Sequence, residues 1–361
     1  MVGPPSDELT CIACNEASDM VAMYENTGIE LIDREPWLDL RLQNILVPLD
    51  FSTASLKTLR YASSLAGQFG SSLSLIHVVE RGSFLEDLLG VRLSHSDDEA
   101  VRAATRLLIQ HLRQVLPPAS KGGTLLRVGK PACEIAKAAR ELGCDLIVMS
   151  THGYTKPKHL LVSNIAERVI RHPTCPALIL REELLPQEER EPVKRSSIAW
   201  KNILVPIDLQ ECSLRALECA ARLAGLMNAK LTLFYVPGVT SRKSRRAIWS
   251  NPFQTQVPRI VQSQISACVQ QKVSASLAVE IWPEIGAPTP EGIVQVAKHL
   301  GTDLIVIGTQ ASCWWRHLID GHFVEGLLRM GRTAVLSVPG RTFDEAADAD
   351  ITQASQPKQT K

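Results

Sequence analysis

The residues best suited by type and spacing to do chemistry follow the ends of apolar, β-rich runs. One run ends in Val47-Pro48-Leu49-Asp50, and a later one ends in Ser150-Thr151-His152-Gly153, before a loop that reaches Ser163 and Asn164 at a helix start. A carboxylate at a strand end can accept hydrogen bonds from a ribose or base, and a small-residue loop leading into a helix presents N–H groups to phosphates. Because strand ends of an open α/β sheet meet at one edge, this pattern predicts a nucleotide cradle.

The same run of residues occurs twice in the chain. Asn44–Pro48 reads NILVP and recurs at Asn202–Pro206, and the DLIV of Asp145–Val148 recurs at Asp303–Val306 with the same offset of 158 residues. A period this long is a whole domain rather than a solenoid unit. The predicted organisation is an N-terminal extension at 1–43, a first domain at 44–182, a linker at 183–200, a second domain at 201–340 and a disordered tail at 341–361.

Each copy alternates β-rich apolar runs with stretches of helical spacing. The first strand is expected at Asn44–Phe51 in one copy and Asn202–Leu209 in the other. Ser52 is a typical N-cap for the helix that follows, which should stop near Gly67 or Gly70. Five strands with intervening helices predict an α/β fold: two tandem parallel sheets of five strands, each with helices on both faces.

Composition limits the classes of function. The chain has 361 residues, 45% hydrophobic and 21% charged, which is ordinary for a globular protein. Its 39 Lys and Arg balance 38 Asp and Glu, so no basic excess points to nucleic acid or a membrane surface. No apolar run approaches the roughly 18 residues that a membrane helix needs, and the first ten residues are too acidic and Pro-rich for a signal peptide. We therefore expect a cytoplasmic protein.

At its motifs the chain resembles the universal stress protein family, whose domains share this five-strand layout and a phosphate motif G-x-x-G-x(9)-G-[ST] after strand four. The resemblance spans roughly residues 43–182 and 201–340 and rests on five segments of the first copy: VPLD, GKPA at 129–132, DLIVMSTHG at 145–153, NIAERVIRH at 164–172 and CPALIL at 175–180. It implies Rossmann-like domains of the adenine-nucleotide α-hydrolase type with strand order 3-2-1-4-5. It also implies a homodimer, or a pseudo-dimer within the chain, joined through the last strands.

The resemblance also implies an ATP site, with Mg²⁺, in each copy. In the first copy it falls on Pro48, Asp50, Val78, Ser150, Gly153, Ser163 and Asn164, with His152 in the same loop. In the second copy it falls on Pro206, Asp208, Val236, Gly308, Ala311, Gly321 and His322, with Trp314 and Trp315 inside the loop. One motif glycine remains in the first copy and two in the second. We expect binding in the first copy and a degenerate site in the second.

The predicted function is a stress-response regulator that binds an adenine nucleotide and turns it over slowly or not at all, because no general base is identifiable. No G-x-x-x-x-G-K-[ST] or G-x-G-x-x-G motif is present, which argues against P-loop ATPases and Rossmann dehydrogenases. One alternative is a nucleotide-free, dimeric interaction module whose degenerate loops bind an unknown protein partner. Another is a redox-linked enzyme built on Cys11 and Cys14, although a lone C-x-x-C is more often two free thiols.

Overall fold

The computed structural model describes residues 42–79, 122–151, 164–171, 174–184, 198–236, 256–257, 259–283, 289–309, 322–331 and 333–340. The N-terminal extension up to residue 41, with Cys11 and Cys14, and the tail after residue 340 lie outside the described residues. None of the helices in the described ranges is long and apolar enough to cross a membrane.

Both copies follow the predicted alternation of strands and helices. The first contains β1 Asn44–Pro48, α1 Thr53–Phe69, β2 Ser72–Val79, β3 Thr124–Val128, α2 Pro131–Glu141, β4 Leu146–Ser150, α3 Asn164–Arg171 and β5 Ala177–Leu180. The second contains β6 Asn202–Ile207, α4 Glu211–Met227, β7 Lys230–Tyr235, α5 Arg259–Lys272, β8 Val279–Ile281, α6 Pro290–His299, β9 Leu304–Thr309, α7 His322–Met330 and β10 Ala334–Pro339.

Helix α1 begins and ends where its sequence predicts. The Ser52 hydroxyl accepts the main-chain N–H of Ser55, which satisfies one of the unpaired donors of the first turn. The helix ends at Gly70, which has a φ of 70°. A residue without a β-carbon adopts that left-handed conformation at little cost, so Gly70 rather than Gly67 is the stop.

The strands form one sheet with the order β3-β2-β1-β4-β5-β10-β9-β6-β7-β8. The order 3-2-1-4-5 is therefore confirmed, and it occurs twice with the second set reversed in space. Successive residues of each strand point to opposite faces, and two buried cores result. Helices α1, α4 and α5 pack on one face through residues such as Leu65 and Leu223, and α2, α3, α6 and α7 pack on the other through residues such as Ile135 and Leu327.

The two copies join through β5 and β10. These strands pair antiparallel, with Leu178 opposite Leu336, whereas the pairs within each copy are parallel. Every residue of both strands is buried. The joint is the pseudo-dimer expected from the last strands. Because the strands of one copy run against those of the other, the carboxyl edges of the two half-sheets lie on opposite sides of the molecule.

Arg181 reinforces this joint from the end of β5. Its Nη1 donates to the carbonyl oxygens of Leu328, at 2.9 Å, and of Gly331, at the end of helix α7 in the other copy. A guanidinium at a helix C-terminus satisfies unpaired carbonyls and opposes the negative end of the helix dipole. The first copy therefore caps a helix of the second.

A second set of contacts holds the amino edge of each half-sheet. The Asp145 carboxylate accepts the N–H groups of Gln43, at 2.7 Å, and Asn44, at 3.2 Å. Asp303 does the same for Lys201, at 2.7 Å, and Asn202, at 2.9 Å. The Asp of the repeated DLIV segment thus ties down the start of the repeated NILVP strand, opposite the edge where a ligand was predicted.

Replacing Asp145 or Asp303 with alanine is expected to lower the free energy of unfolding by about 2 kcal/mol, because two strand N–H groups lose a charged acceptor. Urea unfolding of the full chain measures the change. Glu280→Ala is the matched control, since this exposed carboxylate pairs with Lys230 at the surface and should contribute less than about 1 kcal/mol. Equal effects for all three variants would contradict the role of Asp145 and Asp303 in holding the first strands.

Candidate functional site

The carboxyl edge of the first copy brings together four of the predicted site residues. Strand β1 pairs with β2 on one side and β4 on the other, so three strand ends are adjacent. Pro48 ends β1, Ser150 ends β4, Val78 is the second-last residue of β2, and Asp50 follows β1 by two residues. Asn164 begins helix α3. Three further predicted residues lie outside the described ranges: His152, Gly153 and Ser163.

Asp50 forms a tight turn with the start of α1. Its Oδ1 accepts both the main-chain N–H of Ser52, at 3.0 Å, and the Ser52 hydroxyl, at 2.6 Å. The Ser52 hydroxyl in turn caps the helix. The Ser52 N–H and hydroxyl therefore hold the carboxylate at the edge, where Asp50 is only half-buried. Pro48 on β1 and Val78 on the neighbouring strand β2 are half-buried as well.

The residue after each strand-end aspartate has an unusual backbone. Phe51 has a φ of 61° and Leu209, its equivalent, a φ of 65°. The left-handed region is unfavourable for bulky L residues by about 1–2 kcal/mol. The expectation that strands extend to Phe51 and Leu209 is wrong for this reason: the chain turns sharply there, and β1 ends at Pro48 and β6 at Ile207.

The second copy places the equivalent residues alike but encloses them. Pro206 lies in β6, Asp208 follows it, and Gly308 lies near the end of β9. Asp208 is 6% exposed and Val236 is fully buried, in contrast to half-buried Asp50 and Val78. His322 begins helix α7, and Ala311 and Gly321 lie outside the described residues. The two predicted sites therefore differ in access.

Asp208 is a buried carboxylate, and its two oxygens differ in hydrogen bonding. Its Oδ1 accepts the N–H of Gln210 at 2.9 Å, whereas Oδ2 has no hydrogen-bond partner among the residues that the structure describes. Burial raises the pKa of Asp208, and hydrogen bonds from Ser213 and Gln210 oppose the shift only in part. Charged groups are costly to bury without partners. The second copy thus keeps a buried carboxylate at this position at a cost to its stability.

Gly308 has a packing reason unrelated to phosphate. A β-carbon added there would lie 2.0 Å from the carbonyl oxygen of Cys212, in the first turn of α4. The helix therefore sits directly on the end of β9, and only glycine allows that approach. The first copy has Ser150 at this position, and its side chain is buried. From the sequence we interpret Gly308 as a glycine of the phosphate loop, and that interpretation does not predict its close contact with α4.

Sequence reasoning passed over His77. This side chain lies one residue before Val78 and is buried, its Nδ1 lies 2.6 Å from the carbonyl oxygen of Leu49, and its ring packs on Phe51 at 4.7 Å between centroids. Burial lowers the pKa of His77, and the Leu49 bond and Asp50 offset this only in part. The available signal was a titratable residue in an otherwise apolar strand end, IHVV.

Within the described residues no group of three or more His, Cys, Asp or Glu side chains is arranged to hold a metal ion. A Mg²⁺ ion bound by one or two protein groups together with nucleotide phosphates needs no such cluster.

Gly308→Ser is expected to lower the free energy of unfolding by about 1–3 kcal/mol, because the added side chain must displace the first turn of α4. Ser150→Gly is the reciprocal control and should cost no more than about 1 kcal/mol, the ordinary effect of glycine in a strand. Urea unfolding measures both. Equal effects would contradict the close approach of α4 to β9.

Asp208→Asn is expected to make the ligand-free protein more stable than wild type at pH 7. The folded protein holds the Asp208 proton more tightly than the unfolded chain does, so stability falls as the pH rises from about 4 through the raised pKa. Asparagine keeps a side-chain oxygen that can accept the Gln210 N–H, and it does not ionise. The measurement is the free energy of unfolding between pH 3.5 and 7, and parallel profiles for the two proteins would refute the argument.

Comparisons with known proteins agree with the fold. The sequence profile of the universal stress protein family matches residues 41–181 and 199–339. Universal stress protein MJ0531 of Methanocaldococcus jannaschii is 29% identical over 147 residues, 39% of this chain and 82% of that protein. Universal stress protein YxiE of Bacillus subtilis is 31% identical over 145 residues, 38% of this chain and 97% of that protein.

A crystal structure of a universal stress protein from Archaeoglobus fulgidus shares the fold, with a TM-score of 0.59 at 20% identity, covering 85% of this chain and all of that one. The family profile matches both halves of the chain, and the ten-stranded sheet repeats one five-stranded arrangement twice. The chain belongs to the universal stress protein family and carries two of its domains in tandem.

Proposed function

We propose that this protein binds an adenine nucleotide, ATP, at the carboxyl edge of its first copy, and that it acts as a stress-response regulator with slow or no turnover. The observation that carries the proposal is the difference in access between the copies: Asp50 and Val78 are half-buried at the first edge, whereas Asp208 and Val236 are enclosed at the second.

The groups at the first edge suit the parts of a nucleotide. Pro48 and Val78 offer apolar surface for a base, and the Asp50 carboxylate is an acceptor for ribose hydroxyls. Ser150 is small, and helix α3 begins at Asn164, where the positive end of the helix dipole favours phosphate. The chain's own residues would bind and orient the nucleotide, and Mg²⁺ would neutralise charge on its phosphates.

The hydrogen bonds of the carboxylate at this edge support the proposal of slow turnover. Oδ1 of Asp50 is engaged by the N–H and hydroxyl of Ser52, so the side chain is fixed as an acceptor. Binding, rather than proton transfer, is the chemistry that this arrangement supports. A regulator of this kind would report occupancy to a protein partner.

The second copy has a different role in this proposal. Its enclosed edge does not receive a nucleotide, and its last strand completes the sheet by pairing with β5. Because β5 and β10 occupy each other, a homodimer of this chain would have to form through another surface. The redox role for Cys11 and Cys14 stays a prediction.

The test is calorimetric titration of the full chain with ATP and Mg²⁺, after absorbance has shown that no nucleotide was carried through purification. We expect about one site per chain. Asp50→Asn keeps an oxygen for the turn with Ser52 but replaces the second carboxylate oxygen, and it should weaken binding about tenfold or more.

Asp208→Asn is the matched control and should leave ATP affinity unchanged, because that side chain is enclosed in the other copy. Absence of binding by nucleotide-free protein would overturn the proposal and favour the interaction module. Loss of binding in Asp208→Asn but not in Asp50→Asn would place the nucleotide in the second copy and contradict the proposal.

A further inference from the structure

His77 makes a side-chain bond where the other copy has a main-chain bond. In the first copy, Nδ1 of His77 lies 2.6 Å from the Leu49 carbonyl oxygen. In the second, the equivalent carbonyl, of Ile207, accepts the main-chain N–H of Val236 at 2.8 Å. Tyr235 stands there at the position of His77. One rung of the ladder between the first two strands is thus replaced by an imidazole.

The state of the imidazole follows from its surroundings. The Leu49 carbonyl can only accept, so Nδ1 carries the hydrogen and donates it. Burial keeps the pKa of His77 below its usual value, so the ring is neutral near pH 7, with an unprotonated Nε2. The Nε2 atom is buried, and within the described part of the chain it has no hydrogen-bond partner. The ring therefore has one polar function here, which is to hold Leu49.

The same ring supports the residue on the other side of Asp50. Phe51 packs against His77 with 4.7 Å between ring centroids and 44° between planes. Its left-handed φ of 61° requires such support from the surrounding structure. Leu49 and Phe51 flank Asp50 directly. A single side chain thus contacts both neighbours of the proposed nucleotide-binding carboxylate.

The copy in which His77 binds the Leu49 carbonyl also has the more accessible carboxyl edge. Strand β1 covers Asn44–Pro48, one residue shorter than Asn202–Ile207 in β6. Val78, which would face the base, is half-buried, whereas Val236 is fully buried. Where the main-chain rung forms, the strand pairing extends and the valine is enclosed. Where His77 takes the carbonyl, the edge stays accessible.

We infer that His77 is a positioning residue of the first copy: its Nδ1–H holds the Leu49 carbonyl away from the main chain of β2, and its ring supports Phe51, so that the Asp50 turn stays open to a nucleotide. The inference rests on the proposed function for the identity of the ligand. Its effect on strand pairing does not depend on any ligand.

The first test is binding of ATP with Mg²⁺ to full-length variants. His77→Phe keeps an aromatic ring against Phe51 but removes the donor, and it should weaken binding about tenfold or more. His77→Asn places an amide donor near the position of Nδ1 and should retain more affinity than His77→Gln, whose amide lies near Nε2. His299→Phe, which changes a histidine beside Trp282 in the second copy, is the control and should bind as wild type does.

The second test needs no nucleotide and measures hydrogen exchange at the amides of Val78 and Val236. In His77→Phe the freed Leu49 carbonyl can accept the Val78 N–H, so Val78 exchange should slow about tenfold or more relative to Val236. A histidine with a merely structural role would change the unfolding midpoint and leave this ratio constant. His77→Gln should behave as His77→Phe does, which keeps the test available if one variant does not fold.

The outcomes separate the two proposals. If wild type binds ATP and both His77→Phe and His77→Gln bind it equally well, the positioning role is overturned. If Val78 exchange is unchanged in both variants, the effect on strand pairing is overturned. If wild type binds no ATP but Val78 exchange slows in the variants, the proposed function fails and the control of strand pairing by His77 is supported.

Discussion

The antiparallel pairing of β5 with β10 is the contact on which the rest of this structure depends. It is buried along both strands, it converts two five-stranded sheets into one of ten, and the guanidinium of Arg181 caps a helix across it. Its direction has a geometric consequence. Because one half-sheet runs against the other, the two carboxyl edges face opposite ways.

The two copies share the same residues at their amino edges but differ at their carboxyl edges. At the amino edges, the Asp and Asn of the repeated segments make the same bonds in both copies, with Asp145 and Asp303 tying down the first strands. At the carboxyl edges the equivalent residues differ: Tyr235 occupies the position of His77, and Gly308 occupies the position of Ser150. The unchanged residues serve sheet assembly, and the changed ones surround the turn after each first strand. A duplicated fold can keep its scaffold while only one edge remains accessible.

The turn after each first strand combines features that do not favour stability. A bulky residue has a left-handed backbone, at Phe51 and at Leu209, and a carboxylate precedes it. In the second copy that carboxylate is enclosed, and no described residue donates a hydrogen bond to its Oδ2. Both features cost free energy, and such features concentrate at functional sites. In the first copy, Ser52 and His77 hold the same turn in a form that solvent can reach.

The sequence by itself determined the duplication, the order of strands and helices, the cap at Ser52 and the placement of Asp50 and Ser150 at strand ends. These follow from periodicity and from contacts within a few residues, which a single segment contains. Only the tertiary structure decided where β1 ends, why Gly308 is glycine and which copy is open. Those features depend on pairs distant in the chain, such as the α4 backbone against Gly308 and the His77 imidazole against a carbonyl 28 residues away. No local pattern encodes such a pair, because its distance is set by the packing of whole strands and helices.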